Sequence, residues 1–489
     1  MLHLERTPTP SLRPGLPEGS SGVTLALVAA GTLGLLSACA PTARQVPVNP
    51  ADTTPATVRL TSINLLPEFG IGASVPQSHP GTPSRIESVT TFPEGAGFDG
   101  ASPNPEAVVV VKASDPESGV QGVELSGRIS ASCSRAWQDP LPARPVVGTL
   151  PPARVGDPQT TAAASTPQPA ERSVSMTLRH AEIRALCAGG VLTDFEITLE
   201  ARATNGAGRA VGSSGRVVRP VSVVAHNMNG PALIAFGLDR GLNDRLDQWG
   251  RYFAQQDIVL LNEASRPEWV ARMRLSMPDH DVAHFGSVAV LSRWPLTGSS
   301  SAATPPVCVT DLDGTVLCGI NAVNSQYTRA LAMTPRGPID VLSLHWQHRP
   351  VPVTSHPSRV AFAEQIARAL LASDWAIAGG DFNSKSAWIA SEDPELIGSD
   401  EAETASLRDS FASLAGRSQP EIAVMERSFK DARREVWEND RSRWSHGFPW
   451  PVDHVFLRGG LDAVQYSNNL TGMPPGSDHP TIRVMVLRR

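Results

Sequence analysis

Two patterns of hydrophobic spacing divide the chain. Residues 57–66 and 195–203 alternate polar and apolar side chains, and 107–111 is an unbroken, largely β-branched run. Period two and β-branching are the marks of strands. Long Pro/Gly/Ser stretches separate these runs, notably 139–172. A small β-sandwich is therefore expected over 57–219. At Arg219-Pro220 the pattern changes. Residues 221–225 read as a buried strand, a helical stretch follows over about 233–255, and 257–261 is a strand again. Strands and helices keep alternating to the C-terminus, with an amphipathic helix over 357–372, so 220–489 is expected to form an α/β domain. No repeat of fixed period is present.

Composition narrows the class. A chain of 489 residues has room for two to four domains. With 41% hydrophobic and 18% charged residues it is no disordered polyelectrolyte, and a net charge of −6 excludes a surface that is wholly a basic sleeve for nucleic acid. The α/β half is acidic too, so a DNA-wrapping surface is not encoded there.

Residues 23–38 form an uncharged apolar run, shorter than the ~20 residues that cross a bilayer as a helix. It ends Leu36-Ser37-Ala38-Cys39, which resembles a bacterial lipobox. The resemblance implies a signal peptide over 1–38, a lipidated Cys39 as first mature residue, and a chain anchored at the cell envelope. The leading segment departs from type, because Glu5 and Glu18 offset Arg6 and Arg13. An ordinary signal peptide and a retained membrane anchor are the alternatives, and in all three the protein is exported. Residues 39–56, rich in Pro, Thr and Ala, read as a flexible tether.

Export changes how the cysteines read. Cys308 and Cys318 flank two short β-rich runs around an Asp313-Gly314 turn signal, which suits a cross-hairpin disulfide. Cys133 and Cys187 then pair by elimination; four reduced, buried thiols are the alternative. No Cys-x-x-Cys and no Cys/His ligand spacing points to structural zinc. The segments 113–120 and 200–208 resemble loops of immunoglobulin-like bacterial surface domains.

Chemistry gathers at strand ends of the second half. In order come His226-Asn227-Met228-Asn229, Asn262-Glu263, Leu344-His345, Gly379-Gly380-Asp381-Phe382-Asn383, Asp453-His454 and Ser477-Asp478-His479. Each follows or opens an aliphatic run, where a packed sheet presents side chains at the strand ends. The set holds carboxylates, amides and imidazoles but no thiolate, which suits a hard cation such as Mg2+ or Mn2+ and leaves groups for proton transfer.

In these motifs and their order, 221–489 resembles the deoxyribonuclease I-like endonuclease/exonuclease/phosphatase superfamily. The resemblance implies a four-layer α/β sandwich and a metal-dependent phosphoester hydrolase. It implies Glu263, Asn227 and Asp478 as the metal side, with Asn229 beside them. It further implies Asp381 to orient or deprotonate the attacking water, and Asn383 and His345 to bind the phosphoryl group or leaving oxygen. His479, oriented by Asp453, would be the acid/base. Two positions depart from the family's habit: His226 stands where an aromatic is common, and Asn262 where Gln is common.

The substrate is left open among nucleic acid, lipid phosphate and sugar phosphate, and no obligate protein partner is implied. Residues 427–444 interleave Lys430, Arg433, Arg434, Arg441 and Arg443 with Phe429, Trp437 and Trp444. Such a segment either stacks on bases or is an amphipathic helix with a solvated charged face. The stretch from Gly447 to Asp453 resembles smaller phosphatase-like members, which favours a general phosphoesterase near the membrane. The rival reading is an exported binding or adhesion protein whose hydrolase-like domain is degenerate. Arg293 and Arg359 have the reach to contact phosphate, but solvated strand and helix positions are the favoured reading, and His348, His356 and His446 read as surface or loop residues.

Overall fold

The computed structural model describes residues 44–63, 87–89, 106–139, 144–159, 162–228, 241–303, 309–310, 316–317, 325–346, 357–383, 418, 420–439, 444–445, 453–467, 477, 479 and 481–488. The alternating N-terminal runs form two four-stranded sheets. One has the order Ala210–Val218, Val191–Asn205, Val120–Ser134, Arg144–Gly156; the other Glu87–Val89, Thr57–Ile63, Glu106–Ser114, Glu171–Arg179. One row of each strand faces the other sheet. Val58, Val109, Val111, Val174 and Leu178 from one side meet Val123, Leu125, Ile197 and Leu199 from the other in a single core. That is a β-sandwich, as the period-two pattern required. Cys133 is joined to Cys187 by a disulfide. The Val309–Thr310 and Val316–Leu317 strands pair as the expected hairpin, while Cys308 and Cys318 themselves lie outside the described residues.

Residues 44–56 are not a tether. Gln45–Val46 pairs with Gln168–Pro169, and Val46 and Ala56 are buried. Asp52, also buried, accepts hydrogen bonds from the Thr54 amide at 2.8 Å, the Ser118 hydroxyl at 2.7 Å and the Asn205 side-chain amide at 3.2 Å. A Pro/Thr/Ala-rich segment orders when its few polar groups find buried partners, which composition does not show. Residues 39–43 lie outside the described residues.

Ala43–Arg489 form one compact unit, and the sandwich packs directly on the α/β part. Trp137 sits edge-on to Trp294, with ring centroids 6.3 Å apart, and the Arg293 and Arg219 guanidinium groups lie 4.9 and 5.6 Å from its ring centre. Gln138 donates to the Asp279 and Arg293 carbonyls, and Arg336 donates to Asp194 at 2.8 Å. Arg293 is therefore a half-buried interface residue, not a solvated one.

The second half contains two mixed sheets. The seven-stranded sheet has the order Asp281–Phe285, Val288–Ser292, Ile258–Asn262, Val221–Asn227, Ile482–Arg488, Leu461–Ser467, Trp444–Ser445. The six-stranded sheet has the order Leu296–Ala303, Gln326–Thr334, Gly337–His345, Ala376–Asp381, Asp453–Arg458, Lys430–Asp431. Their layering follows from which row of each strand is apolar. Val223, Ala225, Ile258, Leu260 and Ile482 pack against Ile339, Val341, Ile377, Val455 and Leu457 between the sheets. The intervening residues face outward onto helices. Val224, Val259 and Leu261 meet Leu246, Trp249 and Phe253 of helix Leu242–Phe253; Leu342, Leu344 and Ala378 meet Phe362 and Ile366 of helix Pro357–Leu371. The outcome is helix, sheet, sheet, helix. Among the described residues no helix is long and apolar enough to cross a membrane.

Parity then dictates what the strand ends present. Counting by twos from the inter-sheet rows, Asn227, Asn262, His345, Asp381 and Asp453 all fall on the inner side. Register sets them abreast. Asn227 pairs with Asn262 across one sheet, and His345 pairs with Asp381, which pairs with Asp453, across the other.

Candidate active site

The two in-register rows face each other at one end of the sheet pair. Asn227 bridges them: its Nδ2 lies 3.3 Å from Glu263 Oε1 and 3.1 Å from Asp381 Oδ2. His345 Nε2 stands 3.5 Å from each of the same two oxygens. His479 comes in from the segment that leads into strand Ile482–Arg488, the neighbour of Val221–Asn227 in the seven-stranded sheet. Its Nδ1 is 2.8 Å from Asp453 Oδ2 and its Nε2 3.9 Å from Asp381 Oδ2. Ser477 holds this segment by donating to the Asn227 carbonyl at 2.5 Å and accepting from the His479 amide at 3.0 Å. The structure thus brings together Asn227, Glu263, His345, Asp381, Asn383, Asp453 and His479. Asn229, Asp478 and Cys39 lie outside the described residues, as do His348, His356 and His446.

Two non-glycine residues here have left-handed backbones: Glu263 at φ 54° and Asn383 at φ 45°. Glu263 directly follows strand Ile258–Asn262 and Asn383 lies two residues past strand Ala376–Asp381, so both sit in the turns that leave the strand ends. A left-handed backbone costs ~1–3 kcal/mol outside glycine, so the surrounding structure must hold both turns in place. Asn383 is held from both ends. Its backbone N–H donates to Asp381 Oδ1 at 2.7 Å, and its Nδ2 reaches the Trp346 carbonyl at 2.8 Å and Asp381 Oδ2 at 3.2 Å.

Both departures from the family's habit have structural accounts. Asn262 pins one sheet to the other: its Oδ1 accepts from the Asp381 amide at 3.2 Å and its Nδ2 donates to the Leu344 carbonyl. The shorter amide fits because Gly380, at φ 139°, clears the space; a Cβ there would stand 2.6 Å from Asn262 Nδ2. His226 faces the outer layer, not the site. It packs against Trp249 and Phe253 at centroid distances of 4.8 and 5.4 Å, and its Nδ1 meets the Thr481 hydroxyl at 2.8 Å. Burial first, and His479 next, push its imidazole down to about 3, so it serves as a neutral aromatic.

Electrostatics single out Asp381. Burial is the largest cause and Asp453 the next in pushing its carboxyl up from the ordinary carboxylate range to about 8, with His479 opposing. Glu263, His345 and Asp381 each offer a ligand atom within 4.8 Å of the others, and so do Asp381, Asp453 and His479. Glu263 and Asp381 share the Asn227 amide donor, which carries no charge to offset theirs. Oxygen-rich donors with an imidazole fit a hard divalent cation.

Several residues named from the sequence shape the site in ways their local pattern did not show. Arg359, read as solvated, is buried, and its Nη2 donates to the Phe382 and Asn383 carbonyls at 2.7 and 3.0 Å. His454 lies under the site against Asp431 at 2.9 Å and packs on Phe382 and Phe456. In the basic-aromatic stretch, Lys430 is paired with Glu435 and Asp462, and Arg433 donates to the Tyr466 hydroxyl at 2.7 Å. Ala432 and Val436 of helix Ala432–Asn439 join the inter-sheet core, which favours the amphipathic-helix reading over base stacking.

Comparison with known proteins places this architecture. Over 55% of this chain, solved structures resemble it at low identity. One is an endonuclease/exonuclease/phosphatase family protein from Leptotrichia buccalis (15% identity, 99% of that chain, TM-score 0.34). Others are humanized TDP2 of D. rerio (14% identity, 99% of that chain, TM-score 0.31) and a mannosyl-6-phosphatase of Bacteroides thetaiotaomicron (13% identity, 99% of that chain, TM-score 0.35), each over 55% of this chain. No curated protein matches. The sequence profile of the Endonuclease/Exonuclease/phosphatase family matches residues 224–479, just over half of the chain and nearly all of its two-sheet part, and the chain belongs to that family of phosphoester hydrolases.

Proposed function

We propose that the chain is a divalent-metal-dependent phosphoester hydrolase held at the cell envelope by a lipid on Cys39. The observation that carries the reading is the in-register row His345–Asp381–Asp453, met by Glu263 and Asn227 from the facing sheet and by His479 over Asp453. An anionic phosphoester repels a water nucleophile, so the reaction needs donors on its equatorial oxygens and a proton acceptor in line. Glu263, Asn227 and Asp478 would hold the Mg2+ or Mn2+. When bound, that ion offsets charge on the phosphoryl oxygens and lowers the pKa of a water.

The chain's own groups do the rest. Asp381 orients the water and takes its proton. Asn383 keeps one Nδ2 hydrogen on the Trp346 carbonyl and turns the other from Asp381 to a phosphoryl oxygen, with Asn229 beside it. His345 Nε2 faces the same two carboxylate oxygens as Asn227, on Glu263 and Asp381, and donates to the phosphoryl or leaving group. His479, whose Nδ1 is engaged by Asp453, gives or takes its proton at Nε2.

The test is turnover of bis-p-nitrophenyl phosphate, nicked plasmid and lipid phosphates by the full chain, with and without chelator. Hydrolysis should vanish with chelator and return with Mg2+ or Mn2+. Glu263→Ala should weaken magnesium affinity; equal affinity, with no substrate turned over by wild type at any metal concentration, would leave a binding protein. Anchoring is checked separately. Expressed in a bacterium, the wild type should sediment with membranes and Cys39→Ser should be released; identical partition of the two rejects the lipid.

A further inference from the structure

We propose that Arg359 is a positioning residue that holds Asn383 in its left-handed conformation, an inference that rests on the hydrolase reading of the site. Arg359 lies in the first turn of helix Pro357–Leu371, on the outer side of the six-stranded sheet, and is 3% exposed. Its Nη2 caps two successive carbonyls, Phe382 at 2.7 Å and Asn383 at 3.0 Å. Its Nε lies 3.2 Å from Glu421 Oε1, on a side chain that is fully buried in helix Pro420–Glu426. The guanidinium carbon stands 5.6 Å from the Trp346 ring centre, and the Trp346 carbonyl accepts Asn383 Nδ2 at 2.8 Å. One cation therefore touches the backbone of Asn383 and packs on the residue that holds its side chain.

Burying a guanidinium and a carboxylate is costly, and a packed hydrophobic pair of the same volume is often no less stable. Capping a turn does not by itself require that cost, since carbonyls near a rim can bond to water. What a buried, planar fork adds is direction, because Nε facing Glu421 fixes where Nη2 meets both carbonyls. It points two consecutive carbonyls inward, which fixes the peptide plane at Asn383 and keeps Nδ2 aimed at Trp346 and Asp381. Released, Asn383 would relax toward a right-handed backbone and carry its amide off the phosphoryl position. Displacement of a binding group by ~1 Å costs on the order of 10²-fold in rate.

The experiment uses the full chain with bis-p-nitrophenyl phosphate. Arg359→Lys keeps the charge but loses the fork. The double variant Arg359→Met/Glu421→Leu removes the buried pair while preserving volume and the fold. Both should lose kcat by ~10²-fold, with KM changed less than threefold. In an Asn383→Ala background the same changes should cost less than threefold, because the residue they act through is gone. Equal losses in both backgrounds overturn the proposal. If the wild type turns over no phosphoester, the hydrolase reading fails, and crystal structures still decide this inference. Asn383 displaced in the double variant supports it, and Asn383 unmoved overturns it.

Discussion

His479→Ala is expected to lower kcat by ~10²–10³-fold while the melting temperature changes by less than about 3 °C. The two halves of that expectation come from different features. The ring is bonded at Nδ1 to Asp453 Oδ2 at 2.8 Å, and its Nε2 is 3.9 Å from Asp381 Oδ2, so it sits between the orienting acid and the reacting position. Alanine removes both the proton carrier and the positive charge available to it. Yet His479 lies on a connecting segment at the rim and belongs to none of the apolar clusters, so its loss opens a gap that water fills against Asp453. Asp453→Asn should reproduce most of the rate loss, because an amide no longer selects the Nδ1–H tautomer. The double variant should be little worse than either single one. Thermal melts beside single-turnover kinetics decide it. A drop of 10 °C or more in His479→Ala would mean that the imidazole holds the core together.

How far the site could be read from residues alone follows from strand parity. An apolar run with one phase fixed, such as 221–225, commits the residue two past its last inward position to the same face, and so on through His345, Asp381 and Asp453. Those side chains are local consequences of period two. What parity cannot deliver is any relation between distant segments. Arg359 has the spacing of a solvated helix residue, and its burial is decided by Glu421, which lies 62 positions away on another helix. Asn262 looked like a shortened glutamine until Gly380 supplied the room that makes the shorter amide the right length. Composition misled at 44–56 for a related reason. Pro, Thr and Ala suit a tether, but Asp52 finds Ser118 and Asn205, and only the folded sandwich brings those three together. The β-rich runs were read correctly as strands, whereas their pairing order, with Glu106–Ser114 joined to Glu171–Arg179 across a long insertion, has no local signal.

Asp381→Asn should abolish turnover, by ~10³-fold or more, and at the same time make the metal-free protein more stable. The sign follows from proton linkage. Burial, then Asp453, raise the folded-state carboxyl to about 8 from an ordinary 3.8. Between those values the unfolded chain releases a proton that the folded, metal-free protein retains. Wild-type stability without metal therefore falls as pH rises from about 4 to about 8 and levels off above. Asparagine has nearly the same shape, can accept the Asn383 amide hydrogen bond through its oxygen, and does not ionise, so that slope is lost. The melting-temperature advantage of the variant should be small at pH 5 and largest near pH 8. Magnesium should invert the order. A cation that binds the folded wild type stabilises it by ~2.7 kcal/mol at a hundredfold excess over Kd, and it gains far less from an amide in place of a carboxylate. Melts at pH 5 and pH 8, each with chelator and with magnesium, give four comparisons. An asparagine variant no more stable than wild type at pH 8 with chelator would show that Asp381 is not the strained acid, and equal stabilisation of both by magnesium would show that its charge is not felt at the cation's site.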